Sequence, residues 1–139
     1  MEGGGNLAVV RSMYAEFGDL AGGDADFASY VDAHYVAECE YLPVEERTAI
    51  VGRDAMIGWN ERWFEAWDEL TADATVLANQ GDTIVTEVAV SGRGAGSGAE
   101  IDQRFFHVIE LRDGKISRIR EFVEREEALK AAAPSEGAR

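Results

Sequence analysis

Near the start of the chain apolar residues recur at helical spacing: Leu7, Val10, Tyr14 and Phe17, between Asn6, a good N-cap residue, and Gly18. Asp24 can cap a second, shorter helix that carries Phe27, Tyr30 and Val31. The run YVAECEYLP, Tyr35 to Pro43, predicts a strand closed by proline, and the polar VEERTAIVG leads into a helix from about Arg53 to Glu69. After Leu70 the pattern changes to strands. TADATVLA turns at NQGD into TIVTEVAVSG, and beyond a Gly-rich loop EIDQRFFHVIELR enters a last hairpin. Glu126 to Ala133 closes the chain as a helix. The order predicts an α+β fold, with helices packed on one face of a curved sheet that ends in four antiparallel strands. Residues 6–131 are expected to form a single domain, with flexible ends at 1–5 and 132–139.

Asp113-Gly114 fixes the register of the last hairpin, because a type I′ turn needs positive φ at both central positions. Arg112 then faces Lys115, Leu111 faces Ile116 and Ile109 faces Arg118. Continued without interruption, the ladder pairs His107 with Arg120, Phe105 with Phe122 and Gln103 with Glu124. Alternation places all of these on one side of the sheet, polar groups set among Phe, Ile and Leu. Asp102 has the opposite parity and falls outside. So do Phe106, Val108, Ile119 and Val123, an apolar patch interrupted by Arg104, Glu110 and Glu121. An apolar patch of that kind predicts a homodimer built on the outer face.

A chain of 139 residues has room for one real core and little more. The formal net charge of −14 argues against nucleic acid, whose phosphates reward clustered Lys and Arg, and against an anionic membrane surface. No run is long and apolar enough to span a bilayer, and MEGGGN has no signal-peptide pattern. Cys39 is the single cysteine, which rules out an internal disulfide and points to the cytoplasm. His34 and His107 lie far apart with no ligand spacing between them, so no metal site is expected. GRGAGSG, Gly92 to Gly98, lacks the Gly-Lys-Ser/Thr ending of a phosphate loop and reads as a mobile hairpin connection.

Trp59, Trp63 and Trp67 recur every four residues along the third helix. They fit a core and a ligand cavity equally well, since three indoles are costly to pack without a gap. His107 and Arg120 are read in two ways: as a satisfied cross-strand pair, or as partly desolvated groups tuned for acid–base work. In the second reading, Arg120 beside His107 disfavours imidazolium.

The segments GRDAMIGWNERWFEAWDE and HVIELRDGKISRIREFVEREEAL resemble the SnoaL-like group of the nuclear-transport-factor-2-like superfamily, over about Asn6 to Ala131. That superfamily includes polyketide cyclases, ketosteroid isomerase and limonene epoxide hydrolase. The resemblance implies a cone in which the sheet wraps helices around a deep apolar cavity, within a homodimer. It also implies that Glu124 stands where SnoaL-type cyclases carry an acid–base Asp on the last strand. The expected function is cofactor-independent acid–base chemistry on a small apolar cyclic or carbonyl substrate. Glu124 or His107 would move the proton and Arg120 would stabilise the oxyanion. Tyr14 would add a hydrogen bond, and Trp59, Trp63, Gln103, Phe105 and Phe122 would shape the cavity. The rival expectation is a non-catalytic binding or dimerisation module.

Overall fold

The Asp113-Gly114 turn forms as its sequence requires, with φ of 55° and 79° at the two central residues. It joins the last two strands of a six-stranded sheet in the computed structural model, which describes residues 2–19, 26–44, 48–80 and 82–132. In chain order the elements are α1 (Glu2–Asp19), α2 (Phe27–His34), β1 (Tyr35–Leu42), β2 (Ile50–Val51) and α3 (Arg53–Glu65). There follow β3 (Trp67–Asn79), β4 (Thr83–Gly94), β5 (Glu100–Arg112), β6 (Lys115–Phe122) and α4 (Arg125–Ala132). The strand order is β2-β1-β6-β5-β4-β3. β3 to β6 form the expected antiparallel run, while β1 pairs parallel with β6 and antiparallel with the short β2, which was not foreseen. The sheet is curved and unclosed, so the architecture is α+β.

Several boundaries move for local reasons. Asn6 lies inside α1 rather than capping it, and its side chain reaches Asp82. The expected cap Asp24 and the tail 133–139 lie outside the described residues. Asp26 caps α2, its carboxylate accepting from the Ser29 N–H at 3.0 Å. α3 stops at Glu65, so Trp67 opens β3 while its ring still contacts Trp63. The glycine-rich stretch is a tight hairpin connection in which Gly96 and Gly98 take positive φ.

One irregularity governs the rest. Leu111 pairs with Ile116, but Glu110 pairs with Arg118, so Ser117 is an extra residue on β6. Its hydroxyl donates to the Glu110 carbonyl at 3.0 Å. Because side chains alternate with period two, one inserted residue exchanges the two faces for everything beyond it. Observed partners are Ile109–Ile119, Val108–Arg120, His107–Glu121 and Phe106–Phe122. The uninterrupted ladder expected from the turn is therefore wrong beyond Leu111. Ile119, Glu121 and Val123 face inward; Arg118, Arg120 and Phe122 face outward.

The concave face carries Ile84, Ile109, Leu111, Ile116 and Ile119. These pack on Val10 and Met13 of α1, Tyr30 and Val31 of α2 and Met56 of α3. Each such buried aliphatic side chain contributes roughly 1.5–3 kcal/mol relative to exposure. The convex face has its own small core, in which Val85, Phe106 and Val108 are covered by Ala128 and Leu129 of α4, with Phe122 against them. Helices thus occupy both faces. The outer apolar patch expected for a homodimer is not present as such, since α4 covers Phe106 and Val108 while Ile119 and Val123 line the inner side.

Candidate active site

Three inner positions of the sheet and two hydroxyls build a continuous polar chain. Thr86 on β4 lies opposite His107 on β5, which lies opposite Glu121 on β6. Tyr14 reaches in from α1, four residues past Val10 on the same helix face, and Tyr41 from β1. The Tyr14 hydroxyl is 2.7 Å from both Thr86 Oγ1 and His107 Nδ1. His107 Nε2 is 3.0 Å from Glu121 Oε2, which also accepts from the Tyr41 hydroxyl at 2.9 Å. Glu121 Oε1 accepts the Val44 N–H at 3.2 Å. The Tyr14 ring lies nearly parallel to the imidazole plane, joined to it through its hydroxyl, while the Tyr41 and Phe105 rings pack against the imidazole.

With a neutral imidazole protonated on Nε2, Thr86 donates to Tyr14, Tyr14 to His107 and His107 to Glu121. With an imidazolium, Nδ1 donates to Tyr14, whose hydroxyl then turns to Thr86.

The side chains of His107 and Glu121 are only 11% and 8% exposed, so the pair is largely desolvated. Burial alone would push the Glu121 carboxyl up. The hydrogen bond and charge of His107, the Val44 N–H and the Tyr41 hydroxyl outweigh it and hold the group below its ordinary value. Burial, countered in part by the Thr86 hydrogen bond, drives the Tyr14 phenol far above its usual range, so it is a neutral donor.

The pair lies in the wall of a cavity of about 360 Å³, within the range of small-molecule sites. Trp59, Asn60 and Trp63 of α3, Tyr30, Tyr35, Met56, Val88 and Ile119 form much of its lining. Of the residues expected at a site, His107, Tyr14, Trp59, Trp63, Gln103 and Phe105 all border this cavity. Trp67 is not among its lining residues.

Arg120, Glu124 and Phe122 do not border it. Arg120 is on the convex face, where it shares Glu110 with Arg118. Phe122 packs in the convex core, and Glu124 is exposed, its carbonyl accepting the Ala128 N–H at the start of α4. The charge beside His107 is therefore a carboxylate rather than a guanidinium. Glu121, Tyr41 and Thr86 were missed. The signal for Glu121 was the three-residue spacing of Ile116 and Ile119, which no uninterrupted strand places on one face. Among the described residues no group of three or more His, Cys, Asp or Glu could hold a metal ion. None of the described helices is long and apolar enough to cross a membrane.

The family model of the SnoaL-like domain matches residues 10–119. This chain belongs to the SnoaL-like domain family. No protein of curated function matches it. Among solved structures, this SnoaL-like chain is similar to a protein of Jannaschia sp. CCS1 assigned as a SnoaL-like polyketide cyclase. The TM-score is 0.74 at 20% identity, covering 94% of this chain and 93% of that one. A polyketide cyclase assignment from Xanthomonas campestris pv. campestris gives 0.72 at 18% identity, over 96% and 100% of the two chains. SalBIII, an epoxide hydrolase/cyclase-like enzyme of pyran ring formation in the polyether salinomycin, gives 0.70 at 16% identity, over 87% and 92%. At these identities the likeness establishes the nuclear-transport-factor-2-like fold of this SnoaL-like protein, and its chemistry rests on its own residues.

Proposed function

We propose that this protein is a cofactor-independent acid–base enzyme acting on an apolar cyclic or carbonyl-containing small molecule, with Glu121 as the proton-moving group. The observation that carries the reading is the desolvated Glu121–His107 pair, 3.0 Å apart in the wall of an apolar cavity. Among the described residues Oε1 of Glu121 accepts from the Val44 N–H, which leaves a lone pair for a substrate proton. In the proposed step that proton leaves a carbon next to a carbonyl, and the C–H electron pair forms an enolate. Tyr14, kept protonated by burial, turns its hydroxyl from His107 to the enolate oxygen. Return of the proton at another carbon gives isomerisation, and attack of the enolate on a second carbonyl gives cyclisation. His107 holds the carboxylate in place and stabilises its charge. Arg120, on the convex face, takes no part.

The test is solvent-deuterium exchange. A panel of cyclic ketones and aromatic polyketide-like compounds is incubated in D2O and followed by mass spectrometry. Enzyme-dependent deuterium uptake that disappears in Glu121→Gln is the expected result. Uptake that survives the substitution, or none across the panel, would remove Glu121 as the base.

One observation favours the second reading, a ligand-binding module without catalysis. Both nitrogens of His107 already have protein partners, as in a purely structural polar network. Saturable ligand binding without exchange or conversion would favour it. We further propose a cytoplasmic location, supported by the buried free Cys39. We also propose a homodimer on the part of the convex face that α4 leaves open, as the family resemblance implies.

A further inference from the structure

The cavity wall opposite in origin to the sheet, formed by α3, holds a polar residue that its own helix does not explain. Asn60 is 6% exposed and sits inside α3, where asparagine is a poor helix former because its amide competes for backbone groups. Its Nδ2 donates to the Met56 carbonyl at 2.8 Å. A backbone carbonyl can only accept, so the nitrogen must point to Met56 and the amide oxygen away from it. That oxygen has no hydrogen-bond partner among the described residues. Nor is it among the fully enclosed side-chain atoms lacking a partner. Asn60 lines the cavity, so Oδ1 opens onto it. Around it the wall is apolar and aromatic, with Met56, Trp59 and Trp63 on the same helix. An acceptor is thus held in a hydrophobic wall, fixed in orientation, with none of the described residues to meet it.

We infer that Asn60 reads a hydrogen-bond donor on the ligand. The compounds this cavity selects are then hydroxyl-bearing ring systems, with the hydroxyl toward α3 and the reacting carbon toward Glu121. The inference rests on the cavity being a ligand site, and goes beyond that reading by naming what the ligand must carry. A matched hydroxyl replaces its water partner with Oδ1. A ligand presenting a methyl group there leaves the amide oxygen buried and unmet, which a site built to hydrogen-bond penalises.

Two probes of similar shape, 2-naphthol and 2-methylnaphthalene, test it by NMR titration of the wild type and of Asn60→Leu. The quantity read is the Kd of 2-methylnaphthalene divided by that of 2-naphthol, which cancels differences in probe hydration when the two proteins are compared. We expect the ratio to fall about tenfold in Asn60→Leu, as loss of one buried hydrogen bond implies. An unchanged ratio overturns the inference while leaving the acid–base reading standing, because the hydroxyl then goes elsewhere, to Glu121 for instance. Failure of both probes to bind the wild type at their solubility limits overturns the cavity reading and this inference together. Should Asn60→Leu fail to fold, the wild-type side-chain amide signals of Asn60 decide. A shift with 2-naphthol that 2-methylnaphthalene does not cause supports the inference, and equal shifts or none overturn it.

Discussion

The two faces of β6 carry the same kinds of groups and put them to different uses. On the concave face Glu121 meets His107 inside an apolar cavity, each about nine-tenths covered. On the convex face Glu110 meets Arg118 and Arg120, with side chains 31%, 41% and 26% exposed. The convex cluster is half-wet and screened, and Glu110 accepts two guanidinium groups, so its charge is spent on its neighbours. The concave pair is dry, and among the described residues Oε1 of its carboxylate accepts from a single N–H, that of Val44. A charged pair becomes a candidate for chemistry through its enclosure and its unused valence, not through its composition. Which residues fall on which face is decided by Ser117 alone.

Exchanging the residues at 119 and 120, Ile119→Arg with Arg120→Ile, therefore attacks the comparison most directly. The swap sends a guanidinium into the hydrophobic interior and an isoleucine to the convex face, and burying an unpaired charge is among the costliest changes a core can suffer. We expect no cooperative thermal transition by circular dichroism. A variant that melts like the wild type would show that the bulge does not set the faces.

Next in size is the contrast between Glu121→Gln and Glu124→Gln. In the exchange assay the first should lower activity by about 10²- to 10⁴-fold, the span of a lost acid–base group, and the second by less than about twofold. Equal losses would erase the distinction between the faces. Phe106→Ala probes the convex core, where the ring is 7% exposed beneath α4. The cost in denaturant unfolding should be about 3–5 kcal/mol, the usual range for a buried Phe truncated to Ala. A loss below about 1 kcal/mol would mean that α4 hardly contributes to the folded state.

The pH dependence follows from the direction of one shift. Glu121 is held below its ordinary value of 4.5 in the folded protein. Its contribution to stability is thus fully present above about 4.5, near its unfolded value, and is lost as pH falls through the lower folded value. Between pH 5 and the acid transition, denaturant midpoints of the wild type should fall more steeply than those of Glu121→Gln. Parallel curves would show that the carboxylate gains nothing from its partners. Arg120→Ala should have the smallest effect. Arg118 still holds Glu110, so stability should change by less than about 1 kcal/mol and deuterium exchange should stay as it is. A loss of exchange would couple the two faces after all.

The helices and strands were legible because their periods and stops are local: the positive-φ turn, the proline after Leu42, the apolar repeat of α1. His107, Tyr14, Trp59 and Trp63 were legible too, since each sits on a pattern that survives without tertiary information. Arg120, Glu124 and Phe122 were misplaced by a single cause. The register was carried from the turn as though β6 were uninterrupted, and a bulge is invisible to simple alternation. β2 escaped because two residues carry no period, and the cover that α4 gives the convex face was not foreseen because a helix pattern does not say which side of a sheet it covers. Asn60 drew no attention because a lone polar residue in a helix is unremarkable until its neighbours are known.

The parallel pairing of β1 with β6 has a consequence in time rather than in space. Tyr41 and Glu121, hydrogen-bonded in the folded protein, are 80 positions apart in the chain. Closing so long a loop is rewarded only after β3 to β6 have formed their nearer pairings, since distant contacts defer their return against the entropy of closure. The first strand is then expected to dock late, onto a sheet already built from the C-terminal half. A chain emerging from the ribosome would hold Tyr14 and Tyr41 for a long interval before their partner Glu121 existed. The site would be assembled in one of the last steps of folding, and acquiring a competent pocket and finishing the fold would be nearly the same event.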